Sequence, residues 1–163
     1  MQVIKKLFNS FIASLKIAIA ARNPFILLKS NIICYGKIVI KGRIYGLRSC
    51  HIQIDKNATL VLERDVHISE FVQLRCSHYI FIGKHVRIAP FTLISDSLYS
   101  NLGSENPTLM FKSVRIEDCS FLAPFSMIYG DTNLGKSVII GPFSNVKNKT
   151  LSPFTLYTKS NIS

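Results

Sequence analysis

The chain has no tryptophan, only four histidines, and none of these lies after His85. It also lacks any acidic residue before Asp55, although Lys5, Lys6, Lys16, Arg22, Lys29, Lys37, Lys41, Arg43 and Arg48 all precede it. The formal charge of +11 is therefore concentrated in a leader, and the remainder is nearly balanced. That distribution, with no interleaving of arginine and aromatic residues to stack bases, argues against nucleic acid as a partner. Cys34, Cys50, Cys76 and Cys119 form no CxxC pair and no short spacing with histidine. This excludes the usual zinc patterns, so no metal is expected, and it fits reduced thiols in a cytoplasmic protein. The longest uncharged run of the leader, Leu7 to Leu15, is far below the roughly 18 to 20 residues that span a bilayer. No convincing small-residue cleavage site marks a secretory signal.

What is present is a period of six. From Val114 to Val146 the positions Val114, Ile116, Ser120, Leu122, Ser126, Ile128, Thr132, Leu134, Val138, Ile140, Ser144 and Val146 alternate spacings of two and four, and all are aliphatic or small. Neither the helical period of 3.6 nor the strict alternation of a strand gives this pattern. Three short strands and three corners make one turn of a triangular prism, so six residues supply a side and eighteen supply a coil. The same phase appears in Ile80, Ile82, Val86, Ile88, Thr92 and Ile94, and earlier in Leu62, Val66, Ile68, Val72 and Leu74. Early coils are two residues longer, and a pitch of twenty matches Ile54 to Leu74 and Leu62 to Ile82. A chain of 163 residues, 48% hydrophobic, is long enough for one such domain and its core.

In the leader, Ile4, Leu7, Phe8, Phe11, Leu15, Ala18 and Ile19 fall at three- and four-residue spacing, with Lys5, Asn9 and Lys16 on another side. This predicts an amphipathic helix ending near Asn23-Pro24. Residues 1–35 form a basic amphipathic segment in this division and residues 36–163 the prism, with a protruding loop over 95–112. Two roles are open to the helix: lying through residues 1–22 on an anionic inner membrane face, or capping the open end of the prism.

The stretch from about Ile38 to Tyr157 resembles the left-handed β-helix, hexapeptide-repeat acyltransferases, in particular the small O-acetyltransferases that decorate sugars and bacterial surface polysaccharides. The residues that carry it are Ile80 to Ile94, the polar insert, and then Val114 to Ile128, continued by Leu134 to Val146 and Ser152 to Tyr157. The resemblance implies an all-β, left-handed parallel β-helix and a homotrimer with active sites between subunits. Acetyl-coenzyme A would donate its acetyl group to a sugar hydroxyl activated by a loop histidine, because an imidazole titrating near neutrality is both unprotonated and basic. Family members commonly read Ile-x-x-His-x-His, or have a single His at the last of those positions, at the entry to the loop. This chain reads Ile94-Ser-Asp-Ser-Leu-Tyr99, so Ser97 and Tyr99 stand at the histidine positions beside Asp96. Tyr99, Asp96 and Ser97 are the candidate catalytic residues, although a phenol titrating near ~10 is a poor base. Coenzyme contacts are expected at Ala123, Gly141, Lys149 and Lys159. The family's C-terminal Ala-Gly-Asn-Pro-Ala segment is replaced by Thr158-Lys-Ser-Asn-Ile162. These two departures make a catalytically inactive β-helix, serving as a scaffold or partner-binding subunit, the alternative.

Other patterns weigh less. Asp65, His85 and Cys119 are expected to stack on one corner of successive coils, as a solvated column rather than a nucleophile and its base. His67 and Arg87 form a similar outward pair. Leu134-Gly-Lys-Ser137 is similar to the end of a phosphate loop, but the hexapeptide repeat already accounts for Gly135. The polar loop, with Tyr99, Asn101, Gly103, Glu105, Asn106 and Pro107, is expected to face a substrate or a neighbouring subunit. Outward aromatics Phe121, Phe125, Phe143 and Phe154 favour association.

Overall fold

The computed structural model describes residues 2–22, 30–100 and 108–158, and the side chains of these except residues 2–6, 99 and 100. The chain is a left-handed parallel β-helix of six coils, preceded by one helix, α1 (Gln2–Ala21). One side of the prism stacks β1 (Asn31–Cys34), β4 (His51–Ile54), β7 (Gln73–Cys76), β10 (Leu93–Ser95), β15 (Met127–Tyr129) and β18 (Asn145–Lys147). The second side stacks β2 (Lys37–Ile40), β5 (Thr59–Leu62), β8 (Tyr79–Ile82), β13 (Ser113–Ile116), β16 (Thr132–Leu134) and β19 (Thr150–Leu151). The third stacks β3 (Ile44–Gly46), β6 (Val66–Ile68), β9 (Arg87–Ile88), β14 (Phe121–Leu122), β17 (Ile139–Ile140) and β20 (Leu156–Tyr157). Residues 31–34 of the leader thus take part in the first coil.

All twelve positions of the series Val114 to Val146 are buried, as are the earlier members of the same phase. Each strand turns alternate side chains inward, and no helix or second sheet is needed to enclose them. The interior hydroxyls of Thr92, Ser120 and Thr132 return to backbone carbonyls. This is the ordinary way for a buried polar group to avoid the cost of dehydration.

The pitch differs from the expected one at an early coil. Ile54 pairs with Cys76, and it is Ile52 that pairs with Leu74, a repeat of twenty-two residues. The extra pair of residues sits in the corner Asp55–Ala58, where Asn57 takes a positive φ of 69°. Cys76 serves there as an interior apolar side chain, so the hydrophobic pattern alone points to the wrong partner. The match of Leu62 to Ile82 holds.

Corners are built without glycine at most turns. Asp65, His85, Cys119, Ser137 and Phe154 occupy one corner column, and Phe71, Phe91, Phe125 and Phe143 another, all with φ between 56° and 61°. A left-handed non-glycine residue costs about 1–2 kcal/mol. The phenyl column offsets part of this cost, its rings lying face to face with centroids 5.0, 4.9 and 5.0 Å apart. At Gly46 a side chain is excluded: φ is 85°, and a Cβ would lie 2.1 Å from the Ile68 carbonyl oxygen.

The expected loop leaves the stack after β10. Its stem is not irregular but a two-stranded antiparallel ribbon, β11 (Ser97–Ser100) with β12 (Thr108–Phe111), in which Tyr99 faces Leu109. Asn101, Gly103, Glu105, Asn106 and Pro107 lie outside the described residues, as do Asn23 and Pro24.

Candidate functional site

The ribbon is fastened at its base by Asp96, which is fully buried. Its carboxylate accepts hydrogen bonds from the amides of Ser77 (2.7 Å) and His78 (2.8 Å). Its own carbonyl accepts from Lys112 N at 2.7 Å. Burial raises the Asp96 carboxyl above its ordinary value, against the lowering effect of those donors. A carboxylate so committed holds the corner between β7 and β8 to the root of the ribbon.

Between the ribbon and the first side of the prism lies a cleft of about 460 Å³. Ser95, Ser97 and Tyr129 line it with hydroxyls, Arg75 and Lys147 with cations, and Leu93, Leu98, Leu109 and Met127 with apolar surface. The Ser97 and Ser95 hydroxyls are 3.1 Å apart, and Lys147 Nζ sits 5.9 Å from the centre of the Tyr129 ring. Such a lining accepts an anionic or hydroxyl-rich ligand. Among the described residues its lining has no imidazole and no carboxylate. Of the three candidate catalytic residues, Ser97 lines the cleft, Asp96 anchors the ribbon behind it, and the Tyr99 backbone belongs to β11, its side chain falling outside the description.

The expected coenzyme positions divide. Ala123 and Gly141 stack at one corner, where the Ala123 amide donates to the Ile140 carbonyl (2.9 Å) and the Gly141 amide to that of Tyr157 (2.7 Å). Both are buried, which allows close approach to backbone but offers little side chain. Lys149 lies on a different corner, with Nζ 3.2 Å from the Tyr157 hydroxyl and 4.9 Å from its ring centre. Lys159 lies outside the described residues.

A second groove, of about 630 Å³, crosses the third side and is lined by Tyr45, Asp65, His67, His85, Arg87 and Phe121, among others. The corner column is as expected: the His85 amide donates to the Arg64 carbonyl (3.2 Å) and that of Cys119 to the Lys84 carbonyl (2.8 Å). His85 Nδ1 stands 3.9 Å from Asp65 Oδ2, too far for a hydrogen bond. His67 is in register with Arg87. In the sequence these read as two separate stacks. The structure merges them, because a corner residue and the strand residue two places later share the outer surface; the spacing 65/67 and 85/87 carries that signal.

Gly130 completes the phosphate-loop spacing with Gly135, Lys136 and Ser137, a match the partial motif understates. The segment nevertheless runs as β16, a corner at Ser137 with φ 58°, and β17. No helix N-terminus follows to receive a phosphate. Among the described residues no group of three or more metal-ligating side chains converges. Cys34, Cys50 and Cys76 are buried and Cys119 exposed. Burial pushes the Cys50 thiol up to about 11 and raises those of Cys34 and Cys76.

Fold and clefts together define a parallel β-solenoid with a side ribbon. No protein-family model, curated protein or solved structure matches the chain.

Proposed function

We propose that this protein is an O-acyltransferase of the hexapeptide-repeat type, passing an acetyl group from acetyl-coenzyme A to a sugar hydroxyl in bacterial surface-polysaccharide assembly, and acting as a homotrimer. The observation that carries this reading is the ribbon that overhangs a cationic, hydroxyl-lined cleft at the point where the resemblance expects the chemistry. Arg75 and Lys147 suit the phosphates of a coenzyme or an activated sugar. In the reaction the acceptor oxygen bonds to the thioester carbonyl carbon, the carbon–sulfur bond breaks, the hydroxyl proton passes to a base, and the coenzyme leaves as its thiol. Because the described lining holds no base, this reading assigns that role to His67 or His85 of a neighbouring copy, which line the second groove. The exposed phenyl groups of Phe121, Phe125, Phe143 and Phe154 are the surface that such an assembly would bury.

A second reading is a catalytically silent β-helix that binds a partner in the same pathway. It is favoured by Asp96, whose carboxylate is spent on backbone amides, and by tyrosine at position 99. Titration calorimetry with acetyl-coenzyme A separates the two. Measurable binding is expected, and Tyr99→His should raise coenzyme hydrolysis or acetyl transfer. Absence of heat at millimolar ligand would sink the acyltransferase reading, and bound coenzyme with no gain in Tyr99→His would count against this placing of the chemistry.

A further inference from the structure

The helix α1 has two apolar faces, and only one is used. Ala13 and Ile17 are buried in the core, and the Ser10 hydroxyl engages the edge strand β1 through the Cys34 amide (3.0 Å) and carbonyl (3.4 Å). The helix touches β1, β2 and β3, so it lies across the open end of the prism and closes it with Ala13 and Ile17. Most of its large apolar residues are elsewhere. Leu7, Phe8, Phe11, Leu15 and Ile19 are 40–67% exposed, and at ~100° per residue they fall within an arc of about 120° on the opposite side. Of the apolar series expected from the sequence, Ala18 is buried, whereas Leu7, Phe8, Phe11, Leu15 and Ile19 point away from the core.

Such a face is not required by the cap, and contiguous exposed apolar surface of this kind marks an interaction site. Its occupant follows from charge. Lys5, Lys6 and Lys16 belong to α1 and Arg22 follows it, with no acidic residue before Asp55. Pairing this face with the same face of a second copy would bring those cations together. No described helix is long and apolar enough to cross a membrane, yet apolar residues beside unopposed cations suit a helix lying in the plane of a negatively charged bilayer surface. We infer that α1 docks the protein onto an anionic lipid surface through Leu7, Phe8, Phe11, Leu15 and Ile19, while its other face holds the β-helix. Docked so, the ribbon at β10 stands three strand spacings, about 14 Å, from the capped end. This inference is independent of acyl transfer.

The test uses the full chain, which has no tryptophan, so Phe11→Trp gives a single indole fluorophore on the docking face. With vesicles of phosphatidylcholine containing about one third phosphatidylglycerol, the protein should float and the indole emission should shift to the blue; pure phosphatidylcholine should give neither. The double variant Phe8→Asp, Phe11→Asp should lose about tenfold or more in vesicle binding while keeping its melting temperature and its mass by light scattering, because neither side chain supports the cap. Lys5→Gln, Lys16→Gln, which by helical spacing border that arc, should weaken flotation with unchanged folding. No flotation with anionic vesicles, equal flotation of the Asp variant, or a fall in its mass without vesicle binding by the parent would overturn the inference, the last outcome assigning the face to contacts between copies.

Discussion

The carboxylate of Asp96 and the amide of Ser77, nineteen residues apart, are joined by a 2.7 Å hydrogen bond. The link spans two successive coils of the prism and fixes where the ribbon departs. A residue expected beside the reacting atoms thus decides the shape of the cleft from behind it.

Removing that carboxylate should be costly. Asp96→Ala leaves the Ser77 and His78 amides without their acceptor in a buried corner, and each unpaired group costs about 1–3 kcal/mol. Asp96→Asn keeps one acceptor oxygen but turns a donor toward a donor, and should fall between. Burial raises the folded-state carboxyl above 3.8, so the native state holds the proton more tightly than the unfolded chain. Stability from this group is then present below about pH 3.8 and lost as pH rises through the higher folded value. Urea midpoints should show the advantage of the native protein over Asp96→Asn shrinking from acid toward neutral pH. A growing advantage would mean that the amides outweigh burial.

The phenyl column makes an unusual glycine prediction. Phe125 stacks on Phe91 at 4.9 Å and on Phe143 at 5.0 Å, at a φ of 59°. Phe125→Ala should destabilise by about 1–3 kcal/mol through two lost ring contacts. Phe125→Gly should cost less than Phe125→Ala by roughly 1 kcal/mol, because glycine carries no left-handed penalty. Denaturant melts that rank glycine below alanine would remove strain from the account.

Thiol chemistry should single out Cys119. It is the exposed one of the four cysteines, so a disulfide reagent should titrate one thiol in the native protein and four after denaturation. Cys50, pushed by burial to about 11 from 9.0, holds its proton more tightly when folded. Stability should therefore fall as pH rises through the window from about 9 to 11, and thermal melts of Cys50→Ala should lack that share of the alkaline loss.

The six-residue series was legible because each inward position is filled by one aliphatic or small residue, and every member from Val114 to Val146 is buried. The partner of Ile54 was not, since a four-residue corner at Asp55–Ala58 shifts the register without disturbing the apolar alternation. The two faces of α1 were half legible. Large residues announced themselves, whereas the cap is made by Ala13, Ile17 and Ser10, whose pattern is too weak to stand out. Ser97 lines the cleft, whereas the Asp96 carboxylate is taken up by the Ser77 and His78 amides of the coil before it.

Repeat period, the three-sided coil and the presence of a leader helix and an insert were determined by the sequence, since they depend on which side chains avoid water at regular spacing. Which coil residue meets which, which face of α1 turns inward, and what stands around Asp96, His67 and His85 were decided only by tertiary structure. Those outcomes depend on contacts between residues seventeen to thirty-four positions apart, whose energies no local pattern contains.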